Sequence, residues 1–263
     1  VSEVKIRLVF FLGVLLLVGL AEHLWPRRTL TIPKGQRWFC NGAIVVVDSV
    51  VARLALPLMP TGVAEMARLN GWGLLNMLAL PLWLKSIIII LVLDLVIYLQ
   101  HRAFHRIPFF WRFHRMHHTD LDIDVSSGNR FHPLEILFSL IIKMGVVAVL
   151  GAPAIAVVIF EILLNATSMF NHGNLRIPAD IDRWLRLILV TPDMHRVHHS
   201  IIPRETDSNF SFNLSWWDRV LGTYRDQPRE GHIGMTIGLK EFRDAGRLGI
   251  GYLLMLPFRG RSG

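Results

Sequence analysis

The chain has 263 residues, 52% of them hydrophobic and only 18% charged, with a mean hydropathy of +0.43 and a net charge of +8. Soluble domains carry about 25% charged residues, so this balance points to lipid, and the long apolar runs exclude nucleic acid as the partner of the positive charge. A single cysteine, Cys40, excludes an internal disulfide, a cysteine-based zinc site and an iron–sulfur cluster.

The first apolar run covers residues 8–20 and extends to Trp25. No small-residue cleavage site clearly follows it, so it reads as an uncleaved span rather than a signal peptide. The second run, residues 39–59, carries Asp48 and Arg53, which are costly in lipid unless they face the bundle or pair. Residues 64–78, with Glu65 and Arg68, read as an interfacial stretch. The third run is 80–99, with Lys85 near its outer end. Residues 136–170 are too long for one crossing, and Gly151-Ala152-Pro153 predicts the turn of a helical hairpin supplying spans four and five. Residues 176–263 are more polar and read as short helices and loops packed under the bundle. The expected fold is all-α: an integral, multi-pass membrane bundle of four to five spans with a cytoplasmic histidine-rich helical cap.

Lysine and arginine orient the bundle. The loop after the first span holds Arg27, Arg28, Lys34 and Arg37 and is placed in the cytoplasm. Alternating crossings then deliver His101 and His172 to the same side. All ten histidines between positions 101 and 199 fall on one face, although histidine played no part in setting the topology.

Those histidines form a pattern. His114, His117 and His118 make a His-x-x-His-His box, and His195, His198 and His199 make a second. His101 and His105 stand upstream as a His-x3-His pair. Positions i, i+3 and i+4 share a helix face, so each box can aim its imidazoles at one point. One ion needs four to six ligands, and eight imidazoles suit two. Packing alone poorly explains such crowding, since protonated rings would repel. His172 lies level with the boxes and reads as a ninth ligand. His132 reads as a ligand, a supporting group or a helix cap. His23 and His232 stand apart.

Imidazole binds Fe, Zn, Cu and Ni, so ligand type leaves the metal open. Structural zinc is satisfied by four ligands, and the boxes lack the bridging carboxylates of hydrolytic two-metal sites. An all-imidazole pair facing lipid suits redox chemistry on O2. A zinc-loaded membrane hydrolase, or a non-catalytic metal-binding membrane protein, is the competing reading. A transporter would spread its ligands through the bilayer midplane. Asp94, Asp120, Asp193 and Asp207 are candidate carboxylates for orienting imidazole N–H groups.

In this order and spacing, the boxes resemble the fatty acid hydroxylase/sterol desaturase superfamily. Further matching stretches are residues 130–135 (Arg-Phe-His-Pro-Leu-Glu), 171–174 (Asn-His-Gly-Asn), 191–200, 205–210 and 217–224. The resemblance covers about residues 94–225, half of the chain. It implies a non-haem di-iron centre, O2 as co-substrate, a membrane lipid substrate and an external electron donor of ferredoxin or cytochrome type. It implies a ligand role for His101, His105, His114, His117, His118, His195, His198 and His199, and supports His172. Some relatives carry one more histidine a helical turn before the position of His172; here that place is Ser168, a gap His132 is a candidate to fill. The implied chemistry is hydrogen abstraction from an unactivated C–H bond, giving an alcohol or, after a second abstraction, an alkene. On this reading residues 1–80 form an N-terminal transmembrane region, 81–226 the catalytic domain and 227–263 a C-terminal tail. Substrate is expected to enter between spans three to five, past Phe109, Phe110, Trp111, Phe113, Phe131, Trp216 and Trp217, which equally suit an interfacial aromatic belt. Arg102, Arg106, Arg112, Arg115, Arg196 and Arg204 form a basic surface suited to an acidic electron carrier. The absence of an organelle signal makes a bacterial inner membrane the expected setting.

Overall fold

The computed structural model describes residues 2–259. Helices account for the secondary structure, and β-pairing among the described residues is limited to isolated bridges. The helices that position the histidines are α1 (Glu3–Leu24), α2 (Lys34–Ala55), α3 (Pro60–Leu69), α4 (Leu82–Arg106), α5 (Pro108–His118), α6 (Pro133–Leu150), α7 (Ala154–His172), α8 (Ala179–Leu185) and α9 (Pro192–His198). Four of them, α3, α5, α6 and α9, begin at a proline. Proline suits that place because its ring presets φ and the first amide needs no intrahelical partner.

Five segments are long and apolar enough to cross a membrane, as the sequence predicts: α1, α2 continued through α3, α4, α6 and α7. Their apolar faces close on a core of Ile89, Leu93 and Ile97 from α4, Val147 from α6, and Ala156, Val157 and Phe160 from α7. The predicted hairpin turn is present: Gly151, at φ +66°, ends α6, and α7 begins at Ala154. A side chain at Gly151 would also strike the Trp72 carbonyl, 2.6 Å from its Cβ position. The stretch expected at the interface, residues 64–78, begins within a helix. Its first part belongs to α3, whose Ala64 and Ala67 are buried against the bundle. Small residues let α3 pack closely on α6 and α7, an alternative that a scan for charged positions misses.

The third span runs farther than its apolar stretch, to Arg106, so one helix carries both His101 and His105. Pro108 then redirects the chain into α5. The C-terminal end of α4, the N-terminal end of α6 and the C-terminal end of α7 meet at one end of the bundle. The linker after α5 forms a 3-10 turn, Val125–Asn129, that packs on α7. Two long-range clamps fix α1 to this end: Glu22 accepts from the backbone N–H groups of Val125 (3.0 Å) and Asn174 (3.1 Å).

Gly128 sits where the 3-10 turn touches α7. A Cβ there would lie 2.6 Å from the Ser168 carbonyl oxygen. That same oxygen receives Nδ1 of His172 at 2.7 Å. Gly128→Ala is therefore expected to cost about 1–3 kcal/mol and to loosen His172. Thermal unfolding together with metal analysis of the purified variant checks both effects.

Candidate metal centre

Nine imidazoles converge at this end of the bundle in two groups. His101, His105, His114, His118 and His198 form one, and His117, His172, His195 and His199 the other; within each, one ring nitrogen per residue lies within 4.8 Å of the others. The nine are the same nine the sequence singles out. Each His-x-x-His-His box, however, divides between the groups rather than aiming at one point. At about 100° per residue, positions i and i+4 lie about 40° apart, while i+3 falls about 60° to the other side of i. The i,i+4 pairs (114 and 118, 195 and 199) thus stay together and the middle histidine turns to the neighbouring group. Two helices shared by both groups hold them side by side, with the rings of His118 and His199 stacked at 4.6 Å.

The outer ring nitrogens fix the tautomers. Nδ1 of His101 meets the Phe210 carbonyl (2.7 Å), that of His117 the Arg130 carbonyl (3.2 Å), and that of His198 the Ser208 carbonyl (2.7 Å). A carbonyl only accepts, so in these rings, as in His172, Nδ1 carries the hydrogen and Nε2 a lone pair. His114 Nδ1 lies 2.7 Å from Oε1 of Glu135. Burial, reinforced by neighbouring imidazoles, pushes His117, His118, His195, His198 and His199 well below the ordinary value of 6.5. Burial alone lowers His114 to about 3. The cluster is a set of neutral donors.

Those donors fit metal ions. Nε2 of His117 and Nε2 of His172 are 3.0 Å apart, and Nε2 of His172 is 3.1 Å from that of His195 and 3.2 Å from that of His199. With lone pairs on both His117 and His172, no hydrogen bond joins that first pair, and a shared cation would reconcile them. Metal–imidazole bonds of about 2.0–2.1 Å place neighbouring nitrogens about 2.9–3.4 Å apart in octahedral or tetrahedral shells. In the other group, the buried Nε2 atoms of His105, His118 and His198 have no hydrogen-bond partner among the described residues.

His132 lies outside both groups. Its Nδ1 caps α6 by accepting from Leu134 N–H at 3.1 Å, and its Nε2 faces the Leu254 carbonyl at 3.1 Å. Ser168 donates its hydroxyl to Gly128, so the four-membered group is built without a further side chain at that place. Of the four aspartates proposed as orienting groups, only Asp207 adjoins a cluster imidazole, at 3.4 Å from Nδ1 of His105. Asp94 accepts from Asn213, Leu214 and Trp217, which anchors the loop whose Phe210 carbonyl holds His101. Asp193 pairs with Arg27 and Arg196. Arg37 and Asp120 form a buried ion pair; Arg37 and Arg130 outweigh burial and hold the Asp120 carboxyl at about 2.

Glu135 is the carboxylate that the search for aspartates passes over. It falls in the first turn of α6 because His132 caps that helix and Pro133 starts it. Its signal in the sequence is its place at the end of the family-matching stretch 130–135, and the fold brings it to His114. Glu135→Gln is expected to lower metal affinity or turnover about 10- to 100-fold, with metal titration of the purified protein as the check. Arg196 is a second correction. It is fully buried beside Asp193 and belongs to no docking surface.

A cavity of about 530 Å³ runs from between α1, α2, α4, α6 and α7 to His101 and His114. Ile97, Phe104, Phe131 and Phe212 wall it near the imidazoles. Of the aromatics expected on the approach, Phe131 lines this cavity, stacked on His117 at 4.5 Å. Phe109, Phe110 and Phe113 pack instead around Phe138. A separate cleft of about 750 Å³ reaches His105 from the opposite side, past Trp111, Arg112 and Arg115.

The fold and the clustered donors define a helical protein with membrane-spanning segments and a polyhistidine centre suited to two metal ions. The model of the fatty acid hydroxylase family matches residues 86–223, just over half of the chain, and the chain belongs to that family. It is similar to an ornithine lipid hydroxylase of Rhizobium tropici, with 30% identity over 158 residues, 59% of this chain and 47% of that protein. It is also similar to the alkylglycerol monooxygenase of Xenopus tropicalis, with 24% identity over 245 residues, 89% of this chain and 50% of that protein. A fatty acid hydroxylase of Lecanicillium is 27% identical over 170 residues, 56% of this chain and 44% of that protein. The chain spans about half the length of these relatives. No solved structure matches it.

Proposed function

We propose that this protein is an O2-dependent non-haem di-iron oxidoreductase that hydroxylates a membrane lipid. The observation that carries the reading is the pairing of two neutral imidazole groups with a largely apolar cavity that ends on His101 and His114. Iron suits the donor set, and the one carboxylate in contact with His114 supports that imidazole from behind rather than bridging, which disfavours a hydrolytic site. When bound, the iron pair activates O2 for attack on an unactivated C–H bond. The overall balance takes one O2, two electrons and two protons, and yields the alcohol and one water.

The chain contributes position and exclusion. His101, His105, His114, His118 and His198 would hold one iron, and His117, His172, His195 and His199 the other. The Phe210, Arg130, Ser168 and Ser208 carbonyls and Glu135 orient the rings. Phe104, Phe131 and Phe212 keep water from the reacting carbon. The catalytic unit on this reading is residues 81–226, with α1 and α2 completing the cavity and residues 239–259 of the tail bordering the cleft at His105. Electrons come from an external carrier of ferredoxin or cytochrome type, for which the cleft at His105, Trp111 and Arg112 offers an approach. The histidine end faces the cytoplasm of a bacterial inner membrane, in keeping with the basic loop at residues 27–37.

Comparing the lipids of cells with and without the protein tests this. A lipid gaining one oxygen only when the protein is present is the expected result. A loss of two hydrogens would replace hydroxylation by desaturation. No lipid change in an iron-replete cell with a competent reductant would end the proposal.

A further inference from the structure

The cavity is not uniformly apolar, and Arg53, Asn129 and Ser139 are among its polar lining. Away from the imidazoles, Arg7, Lys143 and Glu161 are already paired, with Lys143 Nζ 2.9 Å and Arg7 Nη1 2.5 Å from the Glu161 carboxylate. Three buried acceptors of the lining stand apart from that network. Oδ1 of Asp48, Oε1 of Gln100 and Oε2 of Glu135 are buried and have no hydrogen-bond partner among the described residues. All three side chains line the cavity together with His101 and His114. Asp48 is 8% exposed and Glu135 4%. An acidic group left unpartnered within a span is costly, and such residues mark binding or transport sites. Sequence reading left Asp48 as an unexplained cost in the second span.

We infer that Asp48, with Gln100 and Glu135, forms a subsite for a primary ammonium group, so that the substrate is an aminolipid whose cationic nitrogen sits beside the carbon to be oxidised. Three buried acceptors without partners call for a ligand that donates. A primary ammonium offers three N–H donors, matching three acceptors. Its charge also compensates carboxylates, which an alcohol does not. The apolar wall of Ile97, Phe104, Leu140 and Phe212 takes the adjoining hydrocarbon. Glu135 has a second oxygen on His114, so an ammonium held by its free oxygen lies one carboxylate away from a proposed ligand of the metal. The subsite rests on the reading of this cavity as the place of lipid oxidation.

The test uses the purified full chain in detergent, with octadecylamine, octadecanol and N-octadecylacetamide as chain-matched probes and native mass spectrometry as the readout. Charged hydrogen bonds predict a preference of roughly tenfold or more for the amine over the alcohol. Asp48→Asn keeps the shape, and Gln100→Leu removes a second acceptor; each should bring the preference to within about threefold. Metal content is measured on the same samples, which separates a lost subsite from a damaged fold. Equal binding of amine and alcohol by the unaltered chain overturns the inference, as does an undiminished preference in both variants. An oxidised cellular lipid lacking any amine overturns it too while leaving the hydroxylase reading intact. Strong amine binding with no lipid oxidation in cells reverses that outcome: the subsite stands and the hydroxylase reading falls.

Discussion

Replacing His117 or His198 with alanine is expected to abolish lipid oxidation while leaving the helical bundle in the membrane. The two residues belong to different groups, so their effects on metal content should differ. His117→Ala leaves three imidazoles in a group of four, whereas His198→Ala leaves four in a group of five. Loss of even an orienting partner costs about 10- to 100-fold in affinity or activity, and loss of a ligand should exceed that. Metal per chain is expected to fall toward one in His117→Ala and to fall less in His198→Ala, with turnover lost in both. His117→Ala also leaves a neighbour less crowded: His172 Nε2 loses the nitrogen 3.0 Å away that a shared cation would make tolerable. Helicity by circular dichroism and metal by elemental analysis separate ligand loss from unfolding. Full turnover in either variant would remove that residue from the metal centre.

The sequence carries much of this arrangement for identifiable reasons. Spans are legible because apolar length is set by the bilayer, and the hairpin because Gly151 and Pro153 mark a turn. The nine imidazoles are legible because the ligand type is rare and repeats at helical spacing. How they divide is harder to see. It depends on a 100° difference in direction between adjacent residues, such as His117 and His118, and on which neighbouring helix each direction meets. Orienting groups were the least legible. Four of the imidazoles are held by backbone carbonyls, from Phe210, Arg130, Ser168 and Ser208, and a carbonyl leaves no mark in a residue pattern. Asp94 lies two turns before His101 on one helix, which makes it a reasonable candidate, yet it points to Trp217 and the loop beyond. Glu135 reaches His114 across 21 residues because α6 returns beside α5.

Arg37 shows how far a positive charge can serve fold rather than topology, and Arg37→Met should be among the most destabilising single changes in the chain. The sequence assigns Arg37 to the basic loop that sets orientation. In the structure it is 5% exposed and gives every donor group to the segment following α5. Nε and Nη2 take both oxygens of Asp120 at 2.9 Å, Nη1 takes Asp124 at 2.6 Å, and Nη2 also reaches the Asp122 carbonyl and the Ser127 hydroxyl. Removing the guanidinium strands two buried carboxylates, a loss of about 3–5 kcal/mol. The damage should travel: Asp120 follows His118 by two residues, and Asp124 caps the turn that sets Gly128 against Ser168 and so holds His172. Arg37→Met is therefore expected to lower the unfolding temperature and the metal content together. Arg37→Lys keeps the charge but not the fork of five donors and should fall between. Combining Arg37→Met with Asp120→Asn and Asp124→Asn should recover part of the stability, because the stranded charges go with their partner. An unfolding temperature unchanged in Arg37→Met, or a triple variant no better than the single, would show that the ion cluster is not what ties α2 to the histidine end.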